Sequence, residues 1–122
     1  RSLHKAGVLL HGGSDHMIGL DAKASIAPYS PFLGMWIAVT RTSEMGVPIV
    51  PEEALSREEA LRLYTINNAH GSFEEDIKGS IEKGKLADLA VLSDDPLTCS
   101  DAELQDIQVE MTIVGGRIVH KR

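Results

Sequence analysis

Apolar and polar positions along the chain fall into three regimes. Near the start, Val8, Leu9 and Leu10 run together without a break, between Gly7 and the polar stretch HGGSDH (residues 11–16). A strand with one wet face alternates. A continuous run next to glycine instead fits a strand buried on both sides, as in parallel sheets and barrels, where ligands sit at the carboxyl ends. Ahead of it, residues 2–6 read as the end of a helix, with Lys5 favourable in the last turn and Gly7 just past it.

The second regime has helical period. After the loop SIAPYSP, Ser30 can cap a helix whose first position suits Pro31. Phe32, Met35, Trp36 and Val39 then recur at i, i+3, i+4 and i+7, one face of a helix that dies out by Gly46 and Pro48. In SREEALRLYTINNAHG, Ser56 and Glu59 make a capping box and Gly71 is the stop, so one continuous helix is predicted. Its apolar side is Ala60, Leu61 and Tyr64, with Arg57, Glu58 and Arg62 in solvent.

Past residue 72 the period becomes 2. Lys83-Gly84 reads as a turn, Leu89 to Leu92 as a strand closed by Asp94-Asp95-Pro96. Val109, Met111 and Ile113 alternate with Glu110 and Thr112, and Gly115-Gly116 turns the chain into Arg117 to His120. Three strands cannot cover both faces of a sheet, so this tail needs partners from elsewhere.

Composition narrows the class. With 122 residues, 43% apolar and 25% charged, the chain is of a size and make-up to fold around one core. A net charge of −6 with scattered basic residues excludes a nucleic-acid face. No run approaches the ~18 apolar residues of a membrane helix. Cys99 is the only cysteine, so no disulfide forms within the chain, which fits a reducing, cytoplasmic setting. The chain begins at Arg1, and the expectation is of an upstream part, so a signal peptide is not addressed by it.

The candidate chemistry sits in HGGSDH. Asp15 is either a carboxylate at the mouth of a site or the polar end of a strand, and spacing alone leaves both open. His11 and His16 flank it, but on an extended chain residues 11 and 15 share a face while 16 points away, so they do not assemble into a local metal trio. A phosphate loop is excluded by the acid and by the lack of a basic partner. Elsewhere the plain readings hold. Phe32, Met35 and Trp36 are core, His70 suits a helix C-terminus, Arg41 is surface, Asp94 and Asp95 end a strand, and Cys99 is inert.

The order of these features is specific. A strand ending GSD, a helix carrying AVTR, then GSIEKGKLADLAVL and, at a distance, TIVGGRIV resemble the C-terminal third of a metal-dependent amidohydrolase, nearest the branch of N-substituted formamide deformylases. The resemblance covers nearly all of the chain. It implies an α/β fold: the last strand and helices of a (β/α)8 TIM barrel in residues 1–72, and the C-terminal strands of a small composite β-sandwich in residues 73–122. It further implies a hydrolase of carbon–nitrogen bonds in small amide- or imide-type substrates. Asp15 falls on the family's eighth-strand aspartate, which binds or approaches the metal, zinc in this expectation, and acts as general acid and base. His16 and His11 would contact substrate. The remaining metal ligands would lie in the missing N-terminal part, so the piece alone is expected to be inactive and to self-associate through its open edges. The competing reading is a non-catalytic binding or regulatory homologue with a degenerate metal site.

Overall fold

In a computed structural model of the chain, residues 1–14, 30–43 and 45–122 are described. A short helix α1, Ser2–Lys5, ends as predicted, and Gly7 adopts the left-handed backbone (φ +83°) that glycine tolerates without strain. Helix α2, Pro31–Thr40, starts where Ser30 accepts a hydrogen bond from the Leu33 N–H, with Pro31 in the first turn. It stops at Arg41, a left-handed residue (φ 52°) whose carbonyl accepts from the Ile49 N–H at 2.6 Å while its Nε donates to the Ile49 carbonyl at 2.9 Å. Arg41 thus closes the loop behind α2 rather than standing free in solvent.

The predicted continuous helix after Ser56 is two. The capping box of Ser56 and Glu59 opens α3, Arg57–Leu63, and α4 runs Ile66–Gly71. Between them Thr65 leaves helical geometry (φ −127°, ψ −104°). The cause lies outside the segment: the Leu63 carbonyl, which a continuing helix would offer to residue 67, accepts from the Gly12 N–H at 2.9 Å. Arg57 also departs from the prediction. Its side chain is only 16% exposed. It donates to the Pro96 carbonyl, the Cys99 carbonyl and Asp101 Oδ1 (2.6 Å), with Cys99 Sγ at 3.6 Å. Burial works against this charge, but the bonds to Cys99 and Asp101 outweigh it and hold the guanidinium above its usual pKa.

The sheet follows the period-2 pattern. Strands β1 (Leu89–Leu92), β2 (Val109–Val114) and β3 (Arg117–Lys121) lie in the order β1-β2-β3, all antiparallel. Val114 pairs with Arg117 across Gly115-Gly116, both at positive φ (55° and 78°), the turn whose twist matches the strands it joins. Asp95 ends β1's exit as a turn: its carboxylate accepts from the Leu97 N–H and the Thr98 hydroxyl. Between β1 and β2, Ser100 and Glu103 form a second capping box that opens α5, Asp101–Leu104.

The buried cluster joins α2, α3, α5 and the start of β2. Phe32, Met35, Ala60, Leu104 and Ile107 are its centre, and Trp36, Leu61, Leu92 and Val109 pack against it. It draws on residues from both sides of position 72. Two regions stay outside it. Val8 to Leu10 form no strand, and Val8 and Leu9 are exposed, against the expectation of a strand buried on both faces. A strand exists only with a partner backbone, and among the described residues none pairs with this run. All of β3 is exposed, Ile118 and Val119 by about three-fifths of their surface (59% and 62%).

Candidate functional site

Asp15 and His16 lie outside the described residues. The chain leading to them does not, and it rests on the junction of α3 and α4. Three main-chain groups are held there. The Asn67 side-chain amide donates to the Leu10 carbonyl at 2.8 Å, the Asn68 amide donates to the Gly12 carbonyl at 3.0 Å, and the Gly12 N–H donates to Leu63. Asn67 is the one buried polar residue among those described, 6% exposed, so its bond to Leu10 offsets a desolvation cost that an unpaired amide would carry in full.

Packing closes the same region. A Cβ on Gly12 would stand 2.8 Å from the Tyr64 ring, and a Cβ on Gly34, in the middle of α2, would collide with the Tyr64 hydroxyl. The ring is therefore seated between two glycines, and burial raises its pKa. Gly12 serves the approach of the chain to Tyr64, while Gly13 faces open space. His11 is exposed, with its imidazole over α4: a Cβ on Gly71 would lie 2.6 Å from His11 Cε1. His70 is exposed in the last turn of α4, as its position suggested.

The stretch GSIEKGK is built against the same helix from the other side. Gly79 (φ +92°) brings its backbone so close to α4 that a Cβ would meet the Ala69 side chain at 2.6 Å. Lys85, 12% exposed, donates to the Glu75 carbonyl and to Ser80 Oγ and pairs with Glu82 at 3.0 Å. Those bonds lock the turn, and Glu82 is held below the ordinary carboxylate range by Lys85 and then Ser80.

Neither Asn67, Asn68 nor Arg57 was singled out from the sequence. The only available signal was chemical: two amides and a cation inside a segment whose apolar stripe was already complete. Among the described residues no three His, Cys, Asp or Glu side chains converge to hold an ion. An open depression of about 540 Å³ between α2, the loop after it and the end of α5 is lined by Ser30, Leu33, Trp36, Thr42, Gln105 and Asp106. It shares no residue with the Gly7–Ser14 segment.

Comparison with known proteins gives the architecture its place. The profile of the amidohydrolase family matches residues 1–120. The chain is 44% identical over 122 residues to the N-substituted formamide deformylase of Arthrobacter pascens, covering all of this chain and 21% of that protein. It is 36% identical over 125 residues to the amidohydrolase YtcJ of Bacillus subtilis (strain 168), covering 22% of it. The crystal structure of an amidohydrolase from Thermotoga maritima MSB8 superposes with a TM-score of 0.69 at 28% identity, over 98% of this chain and 25% of that one. The chain thus spans about a fifth of the length of the curated relatives it matches. With the family profile running almost from end to end, the chain belongs to the amidohydrolase family.

Proposed function

We propose that this chain is the C-terminal part of a metal-dependent hydrolase that cleaves carbon–nitrogen bonds in small amide- or imide-type substrates. The observation that carries the reading is the correspondence of the whole chain with a formamide deformylase at 44% identity. In this reading residues 1–72 finish a (β/α)8 barrel and residues 73–122 supply strands of a composite β-sandwich. The exposed Ile118 and Val119 on β3, and the Val8–Leu10 run, which has no strand partner among the described residues, are the surfaces that the upstream part of such a protein, or a second copy of the piece alone, would cover. The single cysteine supports a cytoplasmic setting.

Asp15 is the proton carrier. Amide hydrolysis needs a base as water attacks and an acid as the nitrogen leaves, and one carboxylate does both in turn by accepting the proton and handing it on. A divalent ion, zinc in this proposal, supplies the acidified water. A zinc site takes three or more protein ligands, and no such set converges among the described residues. This chain contributes Asp15 to that site, and the other ligands come from the upstream part. His11 and His16 are proposed as substrate contacts.

The test is an amidase screen with metal analysis on the polypeptide that carries this chain with its upstream barrel, Asp15→Asn beside wild type. Turnover is expected to fall ~100-fold or more in the variant. Full turnover by Asp15→Asn would remove the proton-carrier role, and an absence of both bound metal and amidase activity in wild type would favour a binding homologue.

A further inference from the structure

We infer that Asn67 and Asn68 are positioning residues that set the main chain just ahead of Asp15; this deepens, and rests on, the hydrolase reading above. Both side-chain amides donate to carbonyls of the lead-in, Leu10 and Gly12, and the Gly12 N–H is fixed to Leu63 between them. The Leu10–Gly12 run has no strand partner among the described residues, and these bonds tie two of its carbonyls to α4. All go to backbone atoms, so they hold the path of the chain whatever its side chains. In sequence only Gly13 and Ser14 separate this anchor from Asp15.

The two asparagines differ in a way that separates positioning from stability. Asn67 is buried, and its loss would weaken the fold as well as the anchor. Asn68 is exposed, with its amide spent on Gly12 alone among the side-chain bonds of the described residues. A substitution there costs little stability. Asn68→Asp keeps the shape and replaces the donor with an oxygen that repels the Gly12 carbonyl, whereas a purely surface residue would tolerate the change.

The experiment compares wild type, Asn68→Asp, Asn68→Ala, Asp15→Asn and the control Glu58→Ala in the complete enzyme. Four properties are read: kcat and KM separately, bound metal, melting temperature, and hydrogen exchange of the Gly12 amide. Asn68→Asp is expected to lower kcat about 10- to 100-fold, the usual consequence of a small misplacement at a reacting group. KM, metal content and melting temperature should stay near wild type, and the Gly12 amide should exchange about fivefold faster. Asn68→Ala should fall between the two, and Glu58→Ala should match wild type. If Asp15→Asn is inactive while both Asn68 variants keep wild-type kcat and exchange, the positioning role is overturned and the hydrolase reading stands. If the Asn68 variants lose melting temperature and activity in step, the role is structural and the inference is equally overturned. Full turnover by Asp15→Asn would bring down the hydrolase reading and this inference with it.

Discussion

The hairpin sheet and the Val8–Gly12 run make an instructive pair. Each is a stretch rich in apolar residues, and only one becomes strands. β1, β2 and β3 find one another between residues 89 and 121, through a two-residue turn and a short helix, and pair by backbone ladders. The Val8–Gly12 run has no complementary strand near it in sequence. It is held instead by two asparagine side chains and one helix-end carbonyl, more than 50 residues away. A ladder with a local partner satisfies its own backbone groups. A run whose partners are remote takes whatever donors the rest of the fold presents.

The largest effect should come from the core that joins the helices to the sheet. Leu104 is fully buried among Met35, Phe32, Ala60 and Ile107. Leu104→Ala is expected to cost about 3 kcal/mol. Because the cluster joins α2 and α3 to α5 and β2, thermal melting should stay a single transition at lower temperature. Two separated transitions would mean that the sheet and the helices are independent, and the shared core would be misassigned.

Next in size is a change that touches only the side-chain-held run. Gly12→Ala puts a methyl 2.8 Å from a Tyr64 ring whose hydroxyl end is already seated against Gly34. A loss of about 1–2 kcal/mol follows from such overpacking. Faster hydrogen exchange should appear in residues 8–14 while the β2–β3 amides keep wild-type protection. Pairing it with Tyr64→Leu should recover part of the loss in a double-mutant cycle; additive losses would show that ring and glycine do not meet.

The smallest effect is the response to acid. Glu59 is held below the ordinary carboxylate range first by the Ser56 backbone N–H, and Glu103 first by the Ser100 hydroxyl. A folded pKa below the unfolded one, about 4.3 for glutamate, means stability that is complete above that value and lost as pH falls through the lowered one. Helical circular dichroism should therefore decline as pH falls below about 4.3, the unfolded value being the upper edge. Glu59→Gln should flatten part of that decline. A variant curve parallel to wild type would deny the α3 box any role in it.

Much of this was legible from residues alone. The cap and apolar stripe of α2, the Ser56–Glu59 box, the Leu89–Leu92 strand and the glycine hairpin all appear where the pattern put them. The second box, at Ser100 and Glu103, carried the same S-x-x-E signal but was not singled out. The assignment of Asp15 rests on resemblance alone, since by spacing it is an acid after an apolar run, and it lies, with His16, outside the described residues.

The sequence by itself therefore determined the elements whose stabilising contacts fall within a few residues: caps, stripes and a two-residue turn. The tertiary structure alone decided that Leu63 breaks a helix to serve Gly12, that Arg57 turns inward to the Pro96–Asp101 loop, and that Asn67 and Asn68 hold a run which pattern made a strand. Each of those depends on a hydrogen-bonding group whose partner is tens of residues distant. Periodicity says which face of an element is apolar, and nothing about which remote carbonyl will need its donor.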